Sequence, residues 1–270
     1  MPVPPISTVS VSAPPLPVAS GTRQEAQNDL VLSFHLVRRA LGALGFALPV
    51  LLLAVAVLTP EVWYASISEF YHGRAGDLFV GILSALGVFL WSYIGYRDPD
   101  GAFPSDRLMA RVAGGAAVLV ALVPTKDKTE PLDRACSLLA CALDGVWAGA
   151  APMVHYGTAG VFFLALAVMC MVNFRRTGTD PKTAAEQAIK RRKNRVFLAC
   201  GVTILVAVVV LGVFGMIYVR ASESTQDAMD TTHFVFVLET VAVWAFALAW
   251  LIKGEVPFLL KWFGIEDPAA

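Results

Sequence analysis

Charged residues are scarce in this chain. Only 16% of its 270 residues are Asp, Glu, Lys or Arg, and 21 basic and 21 acidic residues cancel to a formal net charge of zero. A nucleic-acid-binding surface needs a concentration of positive charge, so we expect no nucleic-acid partner. The only dense basic block, Lys190–Arg195, adjoins an apolar run and is typical of the cytoplasmic flank of a membrane span.

Cysteines and metal-binding motifs are also sparse. No histidines show the His-Glu-x-x-His spacing of a zinc site, and the four cysteines show no thiolate-zinc spacing. Cys170 and Cys200 lie within apolar runs and are expected to be small core residues. Cys136 and Cys141 lie in a connecting segment. They can be joined only if that segment faces an oxidising compartment and is not helical between them.

Apolar residues dominate the composition instead. They make up 57% of the chain and give a mean hydropathy of +0.65, which is typical of a multi-span membrane protein. The predicted fold is an all-α integral membrane bundle of six transmembrane helices. The predicted spans are about 40–59, 78–96, 108–123, 156–174, 196–219 and 234–252. The third reaches the required length only if Arg111 extends its charge to the interface.

The domain organisation follows from these runs. Six prolines among the first 30 residues predict a disordered cytoplasmic tail, 1–30, ahead of a six-helix transmembrane domain, 31–253. The outer loop, 124–154, carries an apolar helical stripe, which fits a segment that lies on the outer membrane surface or one that covers the bundle. The last part, 254–270, is predicted to be an interfacial segment.

Small residues at helical spacing predict where these spans touch. Gly81 in the second span, Gly114 in the third, and Gly157 and Gly160 in the fourth would let neighbouring backbones approach closely.

Basic residues predict the orientation. With six spans, 16 of the 21 basic residues fall on one side and 5 on the other, which places both termini in the cytoplasm. The protein is then a multi-pass protein of the cell membrane, or of the inner membrane in a Gram-negative source. In this topology His72, His155 and His233 all precede spans that start from the outer face.

These histidines belong to a set of polar residues at the outer ends of the spans. Asp77 is expected to cap the second span. Glu239 lies about two turns into the sixth span, where an ionisable group is costly unless it is paired or lines a wet cavity. It would approach His233 only if its helix starts after that residue. Ser66, Ser68, Arg74 and Lys126 complete the outer set.

Two functional hypotheses fit the outer set, beside a third in which it only fixes the helix ends. In the preferred one, a metal-free pocket that includes Ser66, Arg74 and Lys126 binds the headgroup of a membrane lipid or an amphiphile. In the alternative, His72, His155 and His233 bind zinc, and the protein hydrolyses a lipid amide or ester bond. Its catalytic groups would be Asp77, Glu239 and Ser68.

Short motifs resemble those of a known family. They are Ser66-Ile-Ser68, Asp77-Leu-Phe-Val-Gly81, Ala113-Gly-Gly, Val120-Ala-Leu-Val-Pro124 and His155-Tyr-Gly-Thr-Ala-Gly160 with Phe162-Phe163. This set resembles the DRAM/Frag/Sfk-type multi-span proteins and their bacterial relatives of unknown function. The resemblance implies a six-helix, lipid-associated membrane protein without an established enzymatic mechanism.

A second, partial resemblance concerns one motif. Ser68-x-x-x-His72 is similar to a motif of the alkaline ceramidase and progestin-receptor-like hydrolases, which implies a zinc ligand at His72 and a supporting role for Ser68. Asp77 stands closer than that pattern expects. Glu239 and Trp244 occupy the last span, where that superfamily carries paired histidines, and the superfamily has seven spans.

Overall fold

The computed structural model describes residues 20–59, 63–95, 101, 103–125, 138–146, 149–176 and 183–265, with residues 20–31 described by their backbone alone. The chain forms two compact units, Met1–Phe34 and His35–Ala270. In the first unit, the described residues are helical. The second contains the packed apolar helices.

The described residues form helices and turns, with no strand among them. In chain order the α-helices are α1 (Ser20–Leu58), α2 (Gly76–Ser92), α3 (Asp106–Leu122), α4 (Leu138–Val146), α5 (Ala150–Val168), α6 (Ala184–Tyr218), α7 (Glu223–Asp230), α8 (Phe234–Lys253) and α9 (Pro257–Trp262). A 3-10 turn, Ser68–His72, lies between α1 and α2. Helix α5 continues through a π-helical turn, Met169–Asn173, and a 3-10 turn, Phe174–Arg176.

Each of the six apolar runs overlaps a helix, and the second run, 78–96, extends past the end of α2 at Ser92. Among the described residues, four helical segments are long and apolar enough to cross a membrane: Leu32–Leu58, Ala150–Arg176, Ala184–Tyr218 and Phe234–Lys253. Helices α2 and α3 are shorter, with 17 residues each. The chain is therefore an all-α protein with the composition of a helical membrane bundle.

The disordered tail, 1–30, stays a prediction, and residues 1–19 lie outside the described residues. Helix α1 already begins at Ser20, inside that stretch. The last proline of the tail is Pro17, and residues 24–27 (Gln-Glu-Ala-Gln) favour a helix, so nothing in residues 18–30 prevents helix formation.

The outer loop contains helix α4, which packs onto the bundle. Leu143 of α4 contacts a small apolar cluster formed by Val123, Ala151 and Val154, at the end of α3 and the start of α5. Cys141 on α4 is disulfide-bonded, whereas its predicted partner, Cys136, lies outside the described residues. Cys170 and Cys200 are buried free thiols, as expected for core residues.

The helices that contain the six apolar runs, α1, α2, α3, α5, α6 and α8, alternate in direction. Contacts between the start of one helix and the end of another show this. The His72 ring, ahead of α2, lies 3.0 Å from the Thr125 carbonyl oxygen, just after α3. At the opposite end, the Asn173 side chain, after α5, donates to the Pro104 carbonyl, ahead of α3. We call residues 63–75, 123–125, 149–155 and 219–235 the histidine end. We call residues 35–39, 93–95, 103–107, 173–176, 183–193 and 253–265 the basic end.

Glycines set two close helix contacts. A Cβ at Gly114 would lie 2.6 Å from the Gly87 carbonyl oxygen, so α2 and α3 touch through their backbones. Helix α1 approaches α8 in the same way, since a Cβ at Gly42 would lie 2.9 Å from the Ala247 carbonyl oxygen. The contact predicted at Gly114 is confirmed.

The contacts predicted at Gly81, Gly157 and Gly160 are wrong. A Cβ at any of these positions would meet nothing within 4 Å. In apolar runs, hydrophobicity does not distinguish the protein-facing side from the lipid-facing side, so spacing alone could not exclude them.

Candidate functional site

Two histidines satisfy carbonyl groups at the carboxyl end of α3. The His155 ring is 1% exposed, and its Nδ1 lies 2.6 Å from the Val123 carbonyl oxygen. The half-buried His72 places Nε2 3.0 Å from the carbonyl oxygen of Thr125. Val123 is the C-cap of α3, and its carbonyl lacks a partner within the helix, so His155 caps the helix while His72 holds the chain two residues beyond the cap. The structure thus brings His72 and His155 together at one helix end.

Both contacts constrain the chemistry of the rings. A carbonyl oxygen only accepts, so His155 carries its proton on Nδ1 and His72 carries its proton on Nε2. Within the described part of the chain, no group of three or more His, Cys, Asp or Glu side chains is arranged to hold a metal ion. The zinc site of His72, His155 and His233 stays a prediction.

Glu239 holds the segment that follows α1. Its carboxylate Oε2 accepts a hydrogen bond from the backbone N–H of Ile67 at 2.7 Å. Three residues earlier on α8, the N–H of Phe236 donates to the Ala65 carbonyl at 2.8 Å. A half-buried carboxyl group in the second turn of α8 is therefore bonded to backbone, which lowers the cost expected for an ionisable side chain at that depth.

His233 contacts the same segment from the residue before α8. Its ring stacks on Trp63 with centroids 4.6 Å apart, and its Nδ1 lies 3.3 Å from the Tyr64 carbonyl oxygen. Its φ of 50° is left-handed, which is uncommon for a residue with a Cβ. Because α8 begins directly after it, at Phe234, His233 and Glu239 both face the segment after α1.

Ser66 and Ser68 lie at the start of the 3-10 turn and are 8% exposed. The Ser66 hydroxyl accepts from the Glu69 N–H at 3.1 Å, and Glu69 Oε2 accepts from the Ala65 N–H at 3.0 Å. This reciprocal pattern resembles a capping box and fixes the turn. It gives Ser66 a local structural contact. The ligand-binding role of Ser66 and the catalytic role of Ser68 stay predictions.

The remaining outer residues are exposed or lie outside the described residues. Asp77 does not cap α2, because the helix begins one residue earlier and Ala75 is the N-cap. Its exposed carboxylate still lies in the first turn of α2, where the positive end of the helix dipole stabilises a negative charge. Arg74 is exposed on the turn before α2. Lys126 lies outside the described residues, so its predicted role as a ligand-binding residue stays untested.

An apolar groove of about 460 Å³ runs between α1 and α8. It begins at Pro49, beyond the close approach at Gly42 and Gly45, and extends to Leu58. Its surface is entirely apolar, and Val57 and Leu58 are 73% and 83% exposed, so it opens to the outside of the helices. The lining residues are Pro49, Val50, Leu53, Ala54, Val57 and Leu58 of α1 and Phe236, Thr240 and Trp244 of α8.

Trp244 fixes one side of this groove. Its ring stacks on Phe46 with centroids 5.3 Å apart, and its indole N–H donates to the Phe46 carbonyl at 3.3 Å. Pro49 removes one backbone donor from α1, and a proline inside a helix commonly bends it. The groove therefore starts at Pro49, the residue of α1 that cannot donate a backbone hydrogen bond within the helix. Of the nine predicted site residues, the eight that the structure describes do not line it.

Two consecutive arginines of α1 cap α8 at the basic end. The buried Arg38 donates to the Lys253 carbonyl and to the Tyr93 hydroxyl, both at 3.2 Å. Arg39 donates to the carbonyls of Gly254 at 2.8 Å and Glu255 at 3.0 Å. Cationic side chains at the carboxyl end of a helix donate hydrogen bonds to its last carbonyls and interact favourably with the negative end of its dipole.

Lys253 is a second buried basic side chain at this end. Its Nζ lies 3.5 Å from the Phe174 carbonyl oxygen and 5.2 Å and 5.8 Å from the ring centroids of Phe174 and Phe197. The fully buried Trp250 packs between Tyr93 and Phe174, with centroids 4.9 and 5.1 Å away. In the sequence, Arg38, Arg39 and Lys253 are recognisable only as basic residues that flank apolar runs. Their adjacency to apolar runs does not reveal which helix end they bind.

No protein-family model, curated protein or solved structure matches this chain. The likenesses to the DRAM/Frag/Sfk-type proteins and to the ceramidase-like hydrolases stay predictions that rest on the short motifs.

Proposed function

We propose that this protein binds a membrane lipid or amphiphile, with one acyl chain in the groove between α1 and α8. The groove itself carries the proposal. Its volume falls within the range of ordinary ligand pockets, about 300–1,000 Å³, and an apolar surface of this kind selects hydrocarbon. From Pro49 to Leu58 the helix rises about 14 Å, roughly half the hydrocarbon core of a bilayer. The occupant is therefore an acyl chain from one leaflet.

The headgroup of this ligand lies at the histidine end. The groove leads from Pro49 towards Leu58 and Phe236, and Phe236 contacts the Trp63 ring edge-on at 6.1 Å. Trp63 is 44% exposed and stacks on His233, whose Nε2 is the ring nitrogen that does not face the Tyr64 carbonyl. An aromatic ring with a polar neighbour suits the boundary between headgroups and acyl chains.

The protein crosses the membrane six times in this proposal, with both termini in the cytoplasm. Helices α2 and α3 meet the lower limit of about 17 residues for a span. The guanidinium of Arg111 lies 5.9 Å from the centroid of the exposed Trp91 ring, an arrangement suited to the interface at the basic end. The basic residues of the sequence favour a cytoplasmic basic end.

The disulfide at Cys141 supports the same orientation independently. Disulfides persist in oxidising compartments. Helix α4 carries this cysteine at the histidine end, where Leu143 packs against Val123 and Ala151. The histidine end then faces outwards, and the groove takes its acyl chain from the outer leaflet.

The zinc-hydrolase hypothesis receives less support from the geometry. Two of its three proposed ligands, His72 and His155, each direct a ring nitrogen to a backbone carbonyl, and the third, His233, stacks on Trp63. These contacts give each ring a structural partner. We therefore favour lipid binding by the groove over hydrolysis at the histidine end.

Filling the groove tests lipid binding. Ala54→Phe places a ring in the groove, whereas Ala199→Phe adds the same ring to an exposed position on α6. Native mass spectrometry of protein purified in mild detergent should find one retained lipid in the wild type and in Ala199→Phe, and little in Ala54→Phe. Equal lipid retention in both variants would contradict the proposal.

Thiol labelling tests the orientation. Gln187 and Ala228 are exposed at the basic end and the histidine end, respectively. In intact cells, a membrane-impermeant thiol reagent should label Ala228→Cys and leave Gln187→Cys unlabelled. The opposite pattern would reverse the proposed orientation.

A further inference from the structure

Helix α9 is a short element that is fixed against the basic end. It begins with Pro257, four residues after the end of α8, and the intervening turn is closed by a hydrogen bond from the Val256 N–H to the Leu251 carbonyl at 3.2 Å. After α9, the Ile265 side chain is 2% exposed. Arg192 of α6 donates to the Gly264 carbonyl. The helix is therefore held on both sides.

One face of α9 is apolar and exposed. Phe258 and Trp262 are 68% and 84% exposed, and their spacing of four residues places them on the same side of the helix. Leu259 and Leu260 are half-buried against the rest of the chain. An ordered helix that presents two large aromatic side chains away from the protein needs an apolar partner.

The position of α9 selects the membrane boundary as that partner. The helix follows directly on α8, whose 20 residues rise about 30 Å, the thickness of the hydrocarbon core. Its aromatic residues therefore lie at the headgroup level, where Trp is enriched, and Lys261 beside them can reach the lipid phosphates.

Cations around α9 select the kind of lipid. Arg191 and Lys261 are exposed, and neither side chain forms a hydrogen bond or ion pair with any residue that the structure describes. Arg192, the neighbour of Arg191 in the chain, contacts the end of α9 at Gly264, and the exposed Glu255 is paired with Lys193 at 3.3 Å. We propose that α9 is a membrane-surface foot that binds the headgroups of anionic phospholipids in the leaflet at the basic end.

Tryptophan quenching tests this foot in nanodiscs that contain equal amounts of phosphatidylglycerol and phosphatidylcholine. Bromine atoms are placed near the headgroup on the chains of only one of the two lipids. The emission of Trp262 is obtained by subtracting the fluorescence of Trp262→Phe from that of the wild type. The foot predicts that brominated phosphatidylglycerol quenches this emission at least about twofold more than brominated phosphatidylcholine, since each nearby cation attracts anionic lipid.

A charge variant and a second tryptophan serve as controls. Combining Arg191→Gln with Lys261→Gln should bring the quenching ratio at Trp262 to about one. The quenching ratio at Trp63, at the histidine end, is measured as the difference from Trp63→Phe and should be the same with and without the two charge substitutions. Equal quenching of wild-type Trp262 by both lipids would overturn the preference for anionic lipid. If only Trp63 is quenched, the proposed membrane contact of α9 is wrong. If neither tryptophan is quenched, the placement of the protein in the membrane is wrong as well.

Discussion

Replacing His155 with Phe tests whether this histidine is a structural cap. The substitution keeps an aromatic ring against Tyr156, whose centroid lies 5.7 Å away, and removes the donor that serves the Val123 carbonyl. The site is dry, since His155 and Val123 are both 1% exposed. A buried acceptor left without a donor costs about 1–3 kcal/mol, so the free energy of unfolding should fall by about that amount.

His72→Phe provides a graded comparison. Its ring is half-buried and bonds to the Thr125 carbonyl at 3.0 Å. Water can replace part of this bond, so a loss of less than about 1 kcal/mol is expected. Met153→Phe, at a position 76% exposed on the same helix as His155, should change stability by less than about 0.5 kcal/mol.

The assay is equilibrium unfolding in mixed micelles, with helix content followed as denaturing detergent is added. The free energy of unfolding should fall most in His155→Phe, less in His72→Phe and least in Met153→Phe, both with and without a zinc chelator. A wild-type stability equal to that of His155→Phe would refute the capping role. A chelator that destabilises the wild type but leaves His155→Phe unchanged would instead support the zinc hypothesis, because a metal bound only to the folded protein adds stability by mass action.

Five further substitutions at four positions test other contacts, each by the same unfolding titration. Gly114→Ala should destabilise the protein by about 1–3 kcal/mol because α2 and α3 must separate, whereas Gly81→Ala, which meets open space, should be neutral or stabilising by up to about 1 kcal/mol. Glu239→Leu should cost about 1–3 kcal/mol by leaving the Ile67 N–H without its acceptor, and Glu239→Gln should recover part of that loss. Arg38→Met should cost about 3 kcal/mol or more, since it removes two buried hydrogen bonds, one of them to the last carbonyl of α8.

The apolar helices could be predicted from the sequence because lipid leaves few alternatives. Backbone groups in hydrocarbon must bond within their own segment, so each long apolar run becomes a helix. Where a helix extends beyond its apolar run, its end was harder to predict from the sequence. Helix α6 begins at Ala184, well before its apolar run near residue 196, because residues 184–195 are mostly helix formers that extend the helix into water.

The polar contacts could be predicted only as a set of residues. The sequence indicated that Glu239 needs a partner, but that partner is the backbone N–H of Ile67, which no side-chain pattern reveals. It also grouped His72 with His155, and the structure brings both to one end of α3. Their shared partner is a helix end with unsatisfied carbonyls, a feature of backbone geometry that appears only when the helices are placed.

The groove was not predicted, because its residues look like any others in apolar runs. Pro49 was the only local signal, since it interrupts the backbone ladder of α1. Helices α1 and α8 contact each other at Gly42, at Gly45 and through Phe46 and Trp244, and the groove separates them from Pro49 onwards. Such divergence depends on two helices that are distant in sequence.

Photolabelling with a lipid that carries a diazirine on its acyl chain tests the groove most directly. In nanodiscs, an occupied groove predicts adducts concentrated on residues 49–58 of α1 and 236–244 of α8. Val206, Val209 and Val213 of α6, which are 46–57% exposed and do not line this groove, should carry several-fold fewer adducts. Lipid that merely surrounds the helices would label both regions equally, and that result would contradict a binding groove between α1 and α8.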